Sequence, residues 1–204
     1  MKQWEARPGG RVRPVLLMAV AAALAIGAGW LRWTPPIEAL PAAAFPFTAE
    51  GRVVSVDDGD SFVFERRTTP AGEPRRIRVR LHAVDTPELV QSHGLAARDA
   101  LAHLTRQRPL ALDCYKRDPR GRAVCRVTDT GRSDAARDIE IALLQQGFAW
   151  HYRAFSSEQT AAERTEYAAA EADARALRRG LWQQDAPMPP WACRERLRSA
   201  ATCD

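Results

Sequence analysis

The sequence predicts an α+β domain: a five-stranded OB-fold β-barrel with three helices, in the order β-β-β-α-β-β-α-α. Three observations predict it. Short alternating apolar/polar runs bounded by turn residues form a group of three and then a group of two. One helix-period segment separates the groups, and two more follow them. Five strands with a helix between the third and fourth is the order of that barrel. At 204 residues the chain can build one domain with a proper core plus extensions, whereas two full domains would be cramped.

Each element has a local reason. Residues 51–56, GRVVSV, alternate, and SFVFERR follows the turn DDGD; two β-type runs around Asp58-Gly59 make a hairpin. Residues 76–84, RIRVRLHAV, give a third strand, which Asp85-Thr86-Pro87-Glu88 ends because Pro87 cannot continue a ladder. Gly94 to Arg106 reads as a helix with Leu95, Leu101 and Leu104 on one side. LALDCY (110–115) and AVCRVT (123–128) form a second hairpin around RDPRGR. Asp138 is placed to cap a helix running to Gln146, with Gly147 at its end. Thr160 and Glu163 have the spacing of a capping box for a long helix that stops at Gly180, after which Trp182 packs back.

Ahead of the domain, residues 15–31 are uncharged and largely apolar, with basic residues before them. As a helix this run spans about 25 Å, close to the roughly 30 Å of a hydrocarbon core. Residues 1–33 therefore read as a signal-anchor or transmembrane segment, with Trp30 and Trp33 as interfacial anchors. A cleaved signal is the alternative, small residues such as Ala25 and Gly27 offering a cleavage site. By the positive-inside rule the rest of the chain is exported. The expected location is a bacterial inner membrane with a periplasmic domain, or the exterior if the segment is cleaved. Residues 34–47 carry four prolines and read as a linker, 48–184 as the globular domain, and 185–204 as a cysteine-containing tail.

Bulk charge says little about partners. The formal charge is +5. Residues 1–33 hold five basic residues and one acidic, so the remaining chain carries 25 basic against 24 acidic residues, only +1. A nucleic-acid substrate must be argued from placed residues. Nothing signals an oligomer, and a monomer is expected. Cys114, Cys125, Cys193 and Cys203 form two local pairs, which read as two disulfides in an oxidising compartment. Free core thiols or one zinc site are the alternatives, although no Cys-x-x-Cys or Cys/His cluster is present.

Charge concentrates in three motifs: Asp58-Gly59-Asp60-Ser61, Arg80 with Asp85-Thr86-Pro87-Glu88, and Asp118 with Gly121-Arg122. Each alone is an ordinary turn or strand end. Together they bring carboxylates to strand edges, where two hard oxygen ligands with the Thr86 carbonyl and water suit Ca²⁺. Two free arginines beside such a cation have an obvious use on a phosphodiester.

The segments VVSVDDGDSF, RVRLHAVDTPE, DPRGRAVC, LLQQGFAW and EADARALRRGLW, in that order over about residues 50–183, resemble the staphylococcal nuclease (thermonuclease) family. The resemblance implies a calcium-dependent endonuclease that hydrolyses DNA and/or RNA to 3′-phosphate products. It implies Asp60, Asp85 and the Thr86 carbonyl as calcium ligands, and Asp58 as a carboxylate behind them. Glu88 stands where the family orients or deprotonates the attacking water, and Arg80 and Arg122 where it clamps the phosphate. Arg120 replaces a tyrosine near the bound nucleotide, Ser61 a more usual threonine, and Tyr152 is the candidate for base contact. A Cys114–Cys125 bridge would hold the hairpin that carries Arg122, and a Cys193–Cys203 bridge would staple the tail. The competing readings are a catalytically silent OB-fold module binding nucleic acid or protein, and an envelope scaffold. A silent module has no need of Asp60, Arg80, Asp85, Glu88 and Arg122 together.

Overall fold

A computed structural model describes residues 36–67, 75–131 and 137–203. The expected membrane segment, 1–33, lies outside them; no helix among the described residues is long and apolar enough to cross a membrane. Strands β1 (Phe47–Val56), β2 (Ser61–Arg66) and β3 (Arg75–Leu81) form an antiparallel meander. After a short strand β4 (Val84–Asp85) and helix α1 (Gly94–Thr105) come β5 (Leu110–Arg117), which pairs with β1, and β6 (Ala123–Asp129), which pairs with β5. A parallel pairing of β3 with β6 closes the barrel. Strand β7 (Arg137–Asp138) extends β6, and β8 (Trp150–His151) pairs with β4 in a separate two-stranded ribbon. Helices α2 (Ile139–Gln145) and α3 (Ala161–Ala176) follow in the expected order.

Phe62, Phe64, Ile77, Val79, Leu81, Leu110, Leu112 and Val127 are core residues of the barrel strands. α1 packs on them through Ala97, Leu101 and Leu104, whereas Leu95 is 55% exposed. The expectation for Leu95 fails on geometry: six residues at about 100° each leave it about 120° round the helix from Leu101. The caps form as the sequence chemistry requires. The Asp138 carboxylate accepts the Ile141 N–H, and Thr160 and Glu163 cap each other reciprocally. Gly147 ends α2 at φ +73°, and any Cβ there would lie 2.1 Å from the Arg179 carbonyl oxygen, so the position admits no side chain.

Residues 36–46 run against the barrel. The Glu38 N–H donates to the Arg76 carbonyl at 2.6 Å, and Leu40 is buried in the core. The tail forms a fourth helix, α4 (Pro190–Arg198), beyond the three expected; Pro190 sits at its first turn, where a missing N–H costs nothing. Both cysteine pairs are bridged, Cys114–Cys125 across facing β5 and β6 positions and Cys193–Cys203 across the tail.

Candidate active site

Barrel closure decides which side chains meet. Ser61, first residue of β2, faces Arg80 on β3, and Arg80 lies beside Val124 on β6. The loops entering β2 and β6 therefore converge on one end of β3. In the first loop Asp58 is an organiser: its Oδ1 accepts the Asp60 N–H at 3.0 Å and the Ser61 hydroxyl at 2.8 Å. Gly59 presses against the loop after β4, where a Cβ would meet Thr86 Oγ1 at 2.5 Å and Ala97 Cβ at 2.8 Å. That close approach brings the Asp58–Asp60 loop against Thr86.

The chain reverses between β3 and β4 at Ala83, whose φ of 62° is unusual for a residue with a Cβ. The Tyr152 N–H bonds to the Ala83 carbonyl at 2.8 Å, and Asp85 pairs with Trp150, so the β4–β8 ribbon steadies this turn. The turn delivers Asp85 to Arg80. Arg80 Nη1 donates to Asp60 Oδ2 at 2.6 Å, and Nη2 to Asp85 Oδ1 at 3.2 Å and to the Val84 carbonyl at 3.3 Å. All three side chains are almost fully buried. The reading of two free arginines is thus corrected. Arg80 is bonded to two carboxylates and a carbonyl, and Arg122 donates to Asp118 Oδ2 and to the Ser61 hydroxyl, both at 2.8 Å. A buried guanidinium requires such partners.

Charge follows from this packing. Burial works against ionisation of Asp60, but the Arg80 guanidinium outweighs it and holds that carboxyl below the usual carboxylate range. Burial, reinforced by the charge of Asp60, pushes Asp58 up to about 6. Burial likewise pushes Asp85 up to about 6, against the opposing bond from Arg194.

Asp58, Asp60, Arg80, Thr86, Glu88, Arg120, Arg122 and Tyr152 all line one cleft of about 240 Å³, with Asp118, Phe155 and Arg194. Asp85 lies behind it with no exposed surface. Nine of the sequence-predicted residues thus gather in one place. Tyr152 presents its ring beside Phe155 and Trp191 at centroid distances of 4.9 and 5.7 Å, whereas Trp150 is buried against Trp182.

The residue that sequence reasoning missed is Arg194, on α4. It bonds to Asp85 Oδ1 and Oδ2 at 3.1 and 2.7 Å and to Glu88 Oε1 at 2.7 Å. No local pattern links position 194 to position 85.

Among the described residues no three His, Cys, Asp or Glu side chains are grouped to hold a metal ion. Asp60 and Asp85 are two, and arginines stand among them. The donor set still fits calcium in kind: Asp60 and Asp85 are buried hard-oxygen donors brought together by one guanidinium, and calcium accepts carbonyl and water oxygens as further ligands.

Comparison with known proteins supplies the context for this geometry. Residues 78–184 match the family described as staphylococcal nuclease homologue. A micrococcal nuclease of Shigella flexneri is 33% identical over 155 residues, covering 74% of this chain and 83% of that protein. An uncharacterized endonuclease of Escherichia coli O157:H7 is 28% identical over 147 residues, 72% of this chain and 85% of that protein. A staphylococcal-like nuclease of Arabidopsis thaliana is 32% identical over 124 residues, 61% of this chain. The chain spans about a third of the length of such plant relatives, 35% in that case.

Proposed function

The chain belongs to the family of staphylococcal nuclease homologues, and on that premise we propose that it is a calcium-dependent nuclease cleaving phosphodiester bonds of DNA and/or RNA. The observation that carries this reading is the convergence of two buried carboxylates on the Arg80 guanidinium, at 2.6 and 3.2 Å, in a cleft shared with Glu88 and Arg122. Asp60 and Asp85, with the Thr86 carbonyl, would hold Ca²⁺. Once bound, that ion supplies Lewis-acid polarisation of a phosphoryl oxygen.

The remaining chemistry falls to the chain. Arg122 and Arg80 donate N–H groups to the equatorial oxygens of the five-coordinate phosphorus as negative charge grows on those oxygens; one such donor is worth about 2.7–4 kcal/mol in comparable anion holes. Glu88 is one-third exposed and faces the cleft, positioned to orient a water or take its proton. Attack breaks the bond to the 5′-oxygen, which leaves with a proton, and the phosphate stays on the 3′ end. Tyr152 and Arg120 contact the nucleotide at the rim, and Asp58 keeps the Asp60 loop in shape. The protein acts as a monomer, held at a bacterial inner membrane by residues 1–33 with its domain in the periplasm, or secreted after cleavage. The two disulfides and the apolar run 15–31 support export.

The deciding experiment is cleavage of single-stranded DNA by the full chain in calcium and in excess chelator, beside Glu88→Ser. Cleavage that needs calcium and disappears in the variant is expected. Full activity in chelator sinks the metal site. A folded, calcium-binding protein that does not cleave is instead an OB-fold binding module. For location, thiol labelling under denaturing, non-reducing conditions is expected to find no free cysteine; four reactive thiols overturn export.

A further inference from the structure

α4 lies outside the segment that matches the family, residues 78–184, yet its Arg194 lines the cleft. It is docked there by several independent contacts. Trp191 packs edge-on against Trp150 and at a tilt against Tyr152, at 5.5 and 5.7 Å between centroids. Gln91 Nε2 donates to the Met188 carbonyl at 2.9 Å, while its Oε1 accepts the Glu88 N–H at 2.8 Å, joining the tail to the Glu88 loop. The Cys193–Cys203 bridge closes the tail next to Arg194. Arg194 is thus a placed residue, its side chain 29% exposed.

Its contacts are those of a competitor. A carboxylate offers about four lone-pair sites. Arg194 takes both oxygens of Asp85 in the fork geometry that suits guanidinium, and Arg80 takes Oδ1 as well. The same Nη1 reaches Glu88 Oε1. A divalent ion on Asp85 would sit within a few ångströms of that guanidinium, and its double charge would repel the guanidinium strongly at low local dielectric. From this we infer that Arg194 is a positioning residue of the metal site: an internal cation that competes with calcium for Asp85 and sets the calcium affinity of the cleft. Calcium binding must then free the Arg194 side chain from Asp85, and α4 keeps it beside Glu88 when it does.

The inference rests on the calcium reading of Asp60 and Asp85, and the test separates the two. Calcium binding to the full chain is measured by titration calorimetry for wild type, Arg194→Ala, Arg194→Gln and Arg194→Lys, with circular dichroism to check folding. Removing the competitor should tighten calcium binding about tenfold, the scale of an ordinary coupling between two ligands. Arg194→Lys, which keeps the charge but loses the two-pronged bond to Asp85, should fall between wild type and Arg194→Ala. Thermal melts add a second reading: Arg194→Ala should gain more from calcium than wild type does. A residue that merely props up the tail would weaken the variant equally with and without calcium. Unchanged or weaker affinity in folded Arg194→Ala or Arg194→Gln overturns this inference alone. No calcium binding by wild type overturns the metal site itself, and the inference with it.

Discussion

Replacing Arg80 by alanine should destabilise the fold before it tells anything about chemistry. The substitution removes one buried ion pair to Asp60 and one to Asp85, plus a bond to the Val84 carbonyl. Arg194 still covers Asp85, but Asp60 keeps only the Ser61 hydroxyl on its side chain at 3.1 Å. Breaking a buried pair by deleting one partner costs about 3–5 kcal/mol. For a chain of this size that is a fall in Tm of about 6–20 °C. The deficit must also depend on pH. Arg80 holds the Asp60 carboxyl below its ordinary range. That stabilisation is present above the unfolded carboxylate pKa and is lost as pH falls through the folded value. The gap between variant and wild type should therefore be largest near neutrality and narrow on acidification. Urea unfolding followed by circular dichroism, in chelator, at several pH values measures it. A neutral-pH deficit below about 1 kcal/mol, the level of an exposed ion pair, would refute the reasoning. So would a gap that widens in acid.

Other perturbations have equally definite signs. Burial, with the charge of Asp138, pushes the Glu140 carboxyl well above its usual range, so its contribution is fully present below the unfolded pKa and is lost as pH rises towards the folded one. Glu140→Gln keeps an acceptor for the Val127 N–H and should gain stability over wild type progressively above the ordinary carboxylate range; a pH-independent difference in urea midpoints contradicts this. Replacing Cys114 and Cys125 together by serine opens a link between residues 11 apart and should cost about 2–4 kcal/mol, read from the same unfolding curves against oxidised wild type; reducing both proteins, which opens Cys193–Cys203 in each, should remove the difference. Gly59→Ala drives a methyl into Thr86 and Ala97 and should cost about 1–3 kcal/mol while lowering cleavage; unchanged kinetics would show that the Asp58–Asp60 loop does not need that contact.

What the sequence made legible was mostly local. Asp138 and Thr160 cap because their side chains bond backbone three residues on, and the hairpin around Gly121 closes on Asp118, which takes the Arg120 and Arg122 N–H groups. Such chemistry depends on short spacing, which a sequence displays. Leu95 shares a segment and a residue type with Leu101 and Leu104 but not their helix face, a difference carried by the helical angle rather than by composition. The Arg80–Asp60 pair, 20 positions apart, is invisible to periodicity, and only the ordered family motifs pointed to it. Neither route could reach Arg194. Its partner lies 109 positions away, and a tail rich in prolines and bracketed by cysteines reads as a staple rather than as a wall of the cleft.

The charges of the cleft carry a consequence for how its ligands enter. Its lining holds four carboxylates, Asp58, Asp60, Glu88 and Asp118, against four guanidiniums, Arg80, Arg120, Arg122 and Arg194. Arg80, Arg122 and Arg194 are each already bonded to a carboxylate. A phosphodiester would therefore meet one guanidinium that no carboxylate of the described residues holds, Arg120; each of the other three must loosen its own carboxylate to serve it. If the cleft is the calcium site proposed above, a divalent cation would satisfy the carboxylates and so release guanidinium groups, and a bound phosphate would in turn occupy the groups that compete with the cation. Each ligand would then raise the affinity for the other by the same factor, as linkage demands. On that reading a cleft with almost no net charge would hold an anionic substrate strongly only with the metal bound, which would confine tight binding to the state able to react.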